Sequence, residues 1–150
     1  EVLNTFKDYY SKNYKVYTKP YENMEKMLQN LINFGYLLAV VTNKVDEIAK
    51  DLINDFYPNV FAIIQGDTKT MKKKPSPDMV NYVLEKLNIR PEETIYVGDT
   101  NVDYETAINS HLTPILVTYG YRTKEEMKAY HYDTVTFDNV SQLDHYLRKI

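Results

Sequence analysis

Two aspartates follow a short apolar run in the segment TIYVGDTNVDY, residues 94–104. Asp99 comes directly after Gly98, and Asp103 stands four residues later, one turn into a predicted helix. Carboxylates at this spacing can face one point, and Mg²⁺ in proteins is commonly held by one or two carboxylates together with water and phosphate. The same pattern is typical of a helix start, with Asp99 or Thr100 as the cap and Asp103 favoured by the helix dipole. The spacing alone leaves both interpretations open.

Thr42 and Asn43 are a second candidate pair, between an apolar run at residues 37–41 and a predicted helix. A hydroxyl group and successive backbone N–H groups at a helix start suit a phosphate oxygen, because that end of a helix is electropositive. Threonine and asparagine are also ordinary capping residues. Taken alone, this pair fits an N-cap turn as well as it fits a phosphate site.

Lys74 is the third candidate, within the segment KKKPSPD at residues 72–78. Pro75 restrains the backbone immediately after it, so the lysine lies on a stiffened loop. Its ammonium group could neutralise a phosphoryl group and an attacking carboxylate together. The two preceding lysines are interpreted as solvated charges.

Apolar periodicity predicts helices that alternate with strands. Such alternation predicts an α/β fold, a Rossmann-like parallel sheet with flanking helices. Ligands of such sheets bind beyond the carboxyl ends of the strands, where the three candidates would meet. The predicted helices are 21–34 (stopped by Gly35), 46–54, 76–87 (Ser76 as N-cap, Pro77 at the first position), 102–110, 124–130 and 141–150; the predicted strands are 37–41, 60–64, 95–97, 114–117 and 134–137, and Gln65-Gly66-Asp67 and Thr118-Tyr119-Gly120 would follow two of them.

Composition narrows the class of protein. The net charge is −3, which argues against nucleic acid as a partner. There is no cysteine, and no apolar run is long enough for a membrane span, so the cytoplasm is the expected location. The four glycines include no GxGxxG nucleotide-binding pattern. The three histidines are scattered and receive no role, and we expect Tyr9, Tyr10, Tyr14 and Tyr17 to pack in a core or interface.

Hydroxyl, ammonium and paired carboxylates at one sheet edge are what phosphoryl transfer requires. The segments VVTNK, KKKPSPD, VGDTNVDYETA and LVTYGY, in this order, resemble the haloacid dehalogenase-like hydrolases over residues 20–150. The similarity is greatest to the phosphoglycolate phosphatase and β-phosphoglucomutase branch. The resemblance implies that Thr42 and Asn43 bind the transferring phosphoryl group and that Lys74 pairs with phosphate and nucleophile. It also implies a Mg²⁺ cofactor, with Asp99 as its direct ligand and Asp103 as a direct or water-mediated one.

The chain departs from the family at one important point. The family's nucleophile is the first Asp of an Asp-x-Asp motif on the central strand, and no Asp-x-Asp occurs in this sequence. We therefore expect that the N-terminal strand and most of the helical cap are absent from this chain. Residues 1–19 would then be a remnant of the cap and its return linker, with the cap's last helix and the return to the core in residues 1–17. Residues 20–150 would form the core domain. Residues 109–111 also depart from the family, which we expect to alter only a turn.

The predicted function is that of an Mg²⁺-dependent phosphatase, similar to phosphoglycolate phosphatase, that hydrolyses a small phosphomonoester through an aspartyl-phosphate. This chain would be an inactive fragment of it, and a small phosphorylated metabolite would be its partner. A sugar phosphomutase similar to β-phosphoglucomutase is the alternative within the family, and a non-catalytic phosphate-binding or regulatory relative is the alternative outside enzymes. A response-regulator receiver is excluded, because its order is acidic pair, phosphoacceptor Asp, Thr and Lys. The order here is Thr, Lys and Asp. Neither the substrate nor the oligomeric state follows from the sequence.

Overall fold

Helices and strands alternate along the chain, as the periodicity predicts. The computed structural model describes residues 2–4, 21–119, 125 and 134–150, with residues 2–4 described by their backbone pairing. The strands are β1 (Val2–Asn4), β2 (Leu38–Val45), β3 (Ile63–Asp67), β4 (Ile95–Gly98), β5 (Thr113–Val117) and β6 (Val135–Phe137). The helices are α1 (Met24–Asn33), α2 (Asp46–Phe56), α3 (Asp78–Leu87), α4 (Asn101–Asn109) and α5 (Val140–Leu147), with a 3₁₀ turn at Pro91–Glu93.

The strands form one sheet in the order β3-β2-β1-β4-β5-β6. Each neighbouring pair is parallel, which confirms the predicted parallel α/β fold. Helices α1 and α5 pack on one face of the sheet against side chains such as Leu38 and Val97. Helix α3 packs on the other face together with Ala107 of α4, against side chains such as Val41 and Tyr96. The carboxyl ends of the strands therefore share one edge, as a binding site there requires.

Several strand boundaries differ from the prediction and move candidate residues. Gln65, Gly66 and Asp67 were predicted to follow a strand, but they lie within β3, which ends at Asp67. Strand β2 continues to Val45, so Thr42 and Asn43 lie within the strand instead of in a turn. Strand β3 begins at Ile63, which pairs with Ala39, whereas the apolar run begins at residue 60. The error has a physical cause: hydrogen bonding to the neighbouring strand decides where a strand begins, and apolar side chains before that point pack against the core from a loop.

The helix ends are close to the predicted positions. The stop at Gly35 is confirmed: its φ is 100°, and its N–H donates to the Ile32 carbonyl at 3.0 Å. Helix α3 begins at Asp78, two residues later than predicted, and Pro77 takes the N-cap position. Ser76 still contributes, since its hydroxyl accepts from the Asp78 N–H at 3.3 Å. The predicted helix 124–130 lies outside the described residues apart from residue 125.

The start of the chain differs from the prediction. The helix predicted for residues 1–17 is wrong for Val2–Asn4, which form strand β1 between β2 and β4. This placement has a physical reason, because the gap between β2 and β4 would otherwise leave two rows of backbone donors and acceptors unpaired. Residues 5–20 lie outside the described residues, so the cap remnant at 1–19 stays a prediction. Within the described ranges, the structure contains no helix of the length and apolarity that crossing a membrane requires.

Candidate functional site

Residues from three separate segments meet at the carboxyl edge of the sheet. Thr42 lies toward the end of β2, and Asp99 follows the last residue of β4. One strand, β1, stands between β2 and β4, so the backbones that carry these residues are about 10 Å apart. Lys74 comes from the loop between β3 and α3 and contacts groups on both sides of this gap.

The Lys74 side chain forms a buried ion pair with Asp103. Its Nζ lies 2.7 Å from Oδ1 of Asp103, and the two side chains are only 6% and 2% exposed. Burial alone would lower the pKa of Lys74, but attraction to the Asp103 carboxylate outweighs it and raises the pKa above its usual value. Burial would likewise raise the pKa of Asp103, and the Lys74 ammonium reverses this and lowers it. Both groups are therefore charged inside the protein.

The second oxygen of Asp103 organises the start of α4. Oδ2 accepts from the backbone N–H groups of Asp99 at 2.9 Å and Thr100 at 3.2 Å, and from the Thr100 hydroxyl at 3.1 Å. The Thr100 hydroxyl in turn accepts from the Asp103 N–H at 3.2 Å, which completes a capping box. The capping interpretation is confirmed for Thr100 and Asp103. Both Asp103 oxygens are thus bound by protein donors, and this geometry favours a role in placing Lys74 and Asp99.

Gly98 provides the space for this arrangement. A Cβ added to Gly98 would overlap the Cβ of Asp103 and lie 2.5 Å from its Cγ. The Asp103 side chain therefore lies directly over the end of β4, where only a glycine leaves room. The glycine before Asp99 is explained by this contact.

Substituting Gly98 with alanine is expected to reduce the free energy of unfolding by about 3 kcal/mol, since overpacking would displace Asp103 from the Asp99 and Thr100 N–H groups and from Lys74. Chemical denaturation measures the loss. The Gly98→Ala/Lys74→Met double variant should lose less stability than the sum of the losses of the two single variants, because both substitutions act on Asp103. Fully additive losses would contradict this explanation of Gly98.

The backbone around Lys74 is held by two asparagine side chains. Asn43 Oδ1 accepts from the Lys74 N–H at 2.8 Å, and its Nδ2 donates to the Lys74 carbonyl at 3.2 Å. Asn109 Nδ2, at the end of α4, donates to the Pro75 carbonyl at 2.8 Å. The side-chain amide of Asn43 is thus engaged with Lys74, which leaves its predicted phosphate contact to its backbone N–H. The prediction for residues 109–111 did not foresee that Asn109 contacts the loop of Lys74.

Thr42 is buried on β2, and its hydroxyl accepts from the Lys44 N–H at 3.2 Å. Neither Thr42 nor Asn43 caps α2, because the N-cap position belongs to Val45 and no side chain caps the helix there. The N-cap alternative for this pair is therefore wrong. The predicted contact of the Thr42 hydroxyl with a phosphoryl group stays a prediction.

Asp99 is buried, with 4% of its surface exposed, at the end of β4. Tyr119, beyond β5, lies near Asp99, and burial, and then the Asp99 carboxylate, raise the pKa of the tyrosine. Among the described residues there is no group of three or more His, Cys, Asp or Glu side chains that could hold a metal ion. Mg²⁺ does not require such a group, since one or two carboxylates with water and phosphate suffice.

A further ionic cluster lies at the end of β3 and was not predicted. Asp67 Oδ1 accepts from the Lys69 N–H at 2.9 Å, and its Oδ2 lies 3.5 Å from Nζ of Lys73. The Lys69 N–H, together with the nearby lysine charges, holds the pKa of Asp67 below its usual value. Lys73 was interpreted as solvated, and its side chain is 56% exposed, but it also contacts Asp67. This cluster orders the loop that leads to Lys74.

The shifted pKa values give the buried pair a defined pH window. Asp103 has a lowered folded-state pKa, so its contribution to stability is complete above its unfolded pKa of about 3.9 and is lost as pH falls through the folded value. Lys74 has a raised folded-state pKa, so its contribution to stability is complete below about pH 10.4 and is lost as pH rises through that folded-state pKa. Urea unfolding across this pH range compares the unmodified chain with a Lys74→Met/Asp103→Asn double variant. The difference between their free energies of unfolding should be constant near neutral pH and smaller at both extremes. A difference that grows below pH 4 would contradict this.

Comparison with known proteins identifies the family of this chain. Residues 1–117 match the family model described as haloacid dehalogenase-like hydrolase. The phosphoglycolate phosphatase of Aquifex aeolicus is 37% identical over 124 residues, covering 81% of this chain and 57% of the relative. That of Vibrio vulnificus strain CMCP6 is 31% identical over 139 residues, covering 92% of this chain and 60% of the relative. The chain therefore spans less than two thirds of the length of these relatives.

A solved structure shows the same fold. The crystal structure of a protein from Lactobacillus delbrueckii subsp. bulgaricus, provisionally titled a phosphoglycolate phosphatase, aligns with a TM-score of 0.81 at 30% identity, covering 85% of this chain and 53% of that one. A family model that covers most of the chain, relatives above 30% identity and a shared fold agree with one another. The predicted family resemblance, including the phosphoglycolate phosphatase branch, is confirmed. The chain belongs to the haloacid dehalogenase-like hydrolases.

Proposed function

We propose that this chain forms the phosphate- and metal-binding part of an Mg²⁺-dependent phosphatase that acts on a small phosphomonoester. The observation that carries the proposal is the buried ion pair between Lys74 and Asp103 at 2.7 Å. It holds a charged ammonium group against α4, the helix that begins after Asp99, while the Lys74 backbone is bound to Asn43, the neighbour of Thr42. Hydroxyl, ammonium and carboxylate groups in one place suit a phosphoryl group and its counter-ion.

Each residue has a proposed role. The Thr42 hydroxyl and the Asn43 backbone N–H bind oxygens of the transferring phosphoryl group. Lys74 neutralises negative charge on that group and on an attacking carboxylate. Asp103 keeps the ammonium group in place through Oδ1, and its hydrogen bonds to the Asp99 and Thr100 N–H groups fix the start of α4. We propose this positioning role for Asp103, and its predicted role as a direct or water-mediated Mg²⁺ ligand stays a prediction.

Asp99 is a suitable ligand for Mg²⁺ at this site. Its carboxylate is a hard oxygen donor, and it is buried at the carboxyl edge of the sheet. A buried carboxylate is stabilised by a cation, and Mg²⁺ accepts one carboxylate while keeping water and phosphate oxygens as its other ligands. When bound, the ion would neutralise charge on the phosphoryl oxygens. Asp99 is the residue that we propose as its direct ligand.

The nucleophile is the part that this sequence does not supply. No Asp-x-Asp occurs in its 150 residues, and the chain spans only 57% and 60% of two phosphoglycolate phosphatases. We propose that a further segment supplies the family's central strand, in the position that β1 takes in this chain. Its aspartate would form a bond from a carboxylate oxygen to phosphorus as the ester oxygen leaves with a proton. Water then cleaves the aspartyl-phosphate and releases inorganic phosphate. The 150-residue chain alone would bind phosphate without hydrolysing it.

The proposed substrate class follows the names of the similar proteins, so 2-phosphoglycolate is the first compound to test. The assay measures release of inorganic phosphate from 2-phosphoglycolate and p-nitrophenyl phosphate, with Mg²⁺ or with EDTA. We expect the 150-residue chain to be inactive and the longer protein that carries it to be active only with Mg²⁺. Turnover by the chain alone, or equal turnover in EDTA, would contradict the proposal. Isomerisation of β-glucose 1-phosphate without phosphate release would indicate a mutase instead.

A further inference from the structure

The loop that carries Lys74 lacks the backbone bonding that a helix or strand would provide. Residues 68–77 belong to no helix or strand, and Pro75 has no N–H group to donate. One backbone hydrogen bond, from the Ser76 N–H to the Lys73 carbonyl at 3.0 Å, closes a turn around Lys74. The backbone of Lys74 and Pro75 is otherwise held by side chains from elsewhere in the fold. Asp103 holds the ammonium group at one end of the side chain, so the position of the backbone at the other end decides which side-chain conformations can reach it.

Asn43 fixes the backbone of Lys74 from β2. Its amide makes two hydrogen bonds to one residue, accepting from the N–H at 2.8 Å and donating to the carbonyl at 3.2 Å. Paired bonds of this kind define orientation as well as distance. Because Asn43 is next to Thr42 on the same strand, it also sets the position of Lys74 relative to the Thr42 hydroxyl.

Asn109, on α4, holds the backbone of Pro75, the residue after Lys74. Its amide donates to the Pro75 carbonyl at 2.8 Å, across 34 residues of sequence. Helix α4 also carries Asp103, whose carboxylate binds the Lys74 ammonium group. The same helix therefore contacts Lys74 at its charged end and at the following backbone residue.

We propose that Asn43 and Asn109 are positioning residues for Lys74. Asn43 aligns the Lys74 backbone with Thr42, and Asn109 aligns the loop with Asp103, so the two asparagines together set where the ammonium group lies. The consequence for catalysis rests on the proposed function, because there the ammonium must meet a phosphoryl group, and displacements of about 1 Å can cost about a hundredfold in rate.

The test compares Asn43→Ala, Asn43→Asp and Asn109→Ala with Asn81→Ala, an exposed asparagine on α3. The first readout is hydrogen exchange of the Lys74 amide, followed by NMR in the 150-residue chain. Loss of its acceptor in Asn43→Ala should speed that exchange about tenfold or more. Asn43→Asp keeps an oxygen that can accept from the N–H, so it should recover much of the protection. Thermal unfolding establishes that each variant is folded, and Asn109, being exposed, provides a variant that keeps the core intact.

The second readout is the affinity of the same chains for inorganic phosphate with Mg²⁺ present. We expect affinity to fall most in Asn43→Ala, less in Asn109→Ala and not at all in Asn81→Ala. Unchanged Lys74 exchange in Asn43→Ala would overturn the inference, and so would faster exchange with wild-type phosphate affinity. If the unmodified chain binds no phosphate, the proposed function fails, and the exchange rates still decide whether Asn43 holds Lys74.

Discussion

Replacing Lys74 with methionine is expected to lower the free energy of unfolding by about 3–5 kcal/mol, because it leaves the buried Asp103 carboxylate without its counter-charge. Methionine keeps the length and most of the packing of the lysine stem, so the loss reports the charge. That loss would be a large fraction of the total stability of a typical domain, about 5–15 kcal/mol. Urea unfolding at pH 7 measures it. The same variant should lose phosphate binding.

The chain contains a matched control for this prediction. Lys50 and Asp46 form an ion pair at the same N–O distance, 2.7 Å, but the Lys50 side chain is 49% exposed. Lys50→Met should therefore cost no more than about 0.5 kcal/mol, as exposed pairs do. Adding Asp103→Asn to Lys74→Met should recover part of the loss, since asparagine removes the unpaired charge and keeps an oxygen for the Asp99 N–H. Equal losses at Lys50 and Lys74 would contradict the account of the buried pair.

Replacing Asp99 with asparagine is expected to weaken Mg²⁺ binding by at least about a hundredfold. The substitution keeps the shape of the side chain but removes the charge of the proposed direct ligand. Even substitutions of residues that only hydrogen-bond to metal ligands cost about 10–100-fold in metal affinity. Isothermal titration calorimetry of the chain with Mg²⁺ and inorganic phosphate measures the effect. In the longer protein, phosphatase turnover should fall with the loss of the ion.

Asp51→Asn is the control for Asp99→Asn. Asp51 is exposed on α2, so the substitution changes net charge by the same amount away from the sheet edge. It should leave Mg²⁺ affinity within about twofold of the unmodified chain, because exposed charges at a distance are largely screened. Retained Mg²⁺ binding in a folded Asp99→Asn variant would show that the ion is held elsewhere.

The fold class and the residue types of the site could be predicted because both depend on local sequence. The apolar run followed by Gly98-Asp99 predicts a strand end, and Gly35 predicts a helix stop. What connects these positions depends on long-range geometry. The contacts of Lys74 with Asn43 and Asp103 span 31 and 29 residues of sequence, and no local pattern specifies them.

Two residues show why the remainder was missed. Gly98 was interpreted as a simple strand end, yet it is needed because Asp103 folds back over it. Asn109 was assigned to an altered turn, and its contact with Pro75 requires knowing that α4 ends beside the Lys74 loop. Both roles arise from packing between elements. In the same way β3 begins at Ile63 because of its register with β2, which the apolar run could not reveal.

The central claim is that Thr42, Lys74 and Asp99 surround one position that takes phosphate and Mg²⁺ together. NMR titration of the chain with inorganic phosphate, with and without Mg²⁺, tests this claim most directly. The account predicts that signals of these three residues shift together and that each ligand increases the affinity for the other, since binding free energies couple reciprocally. Phosphate and Mg²⁺ that perturb separate regions, or bind independently of each other, would contradict it.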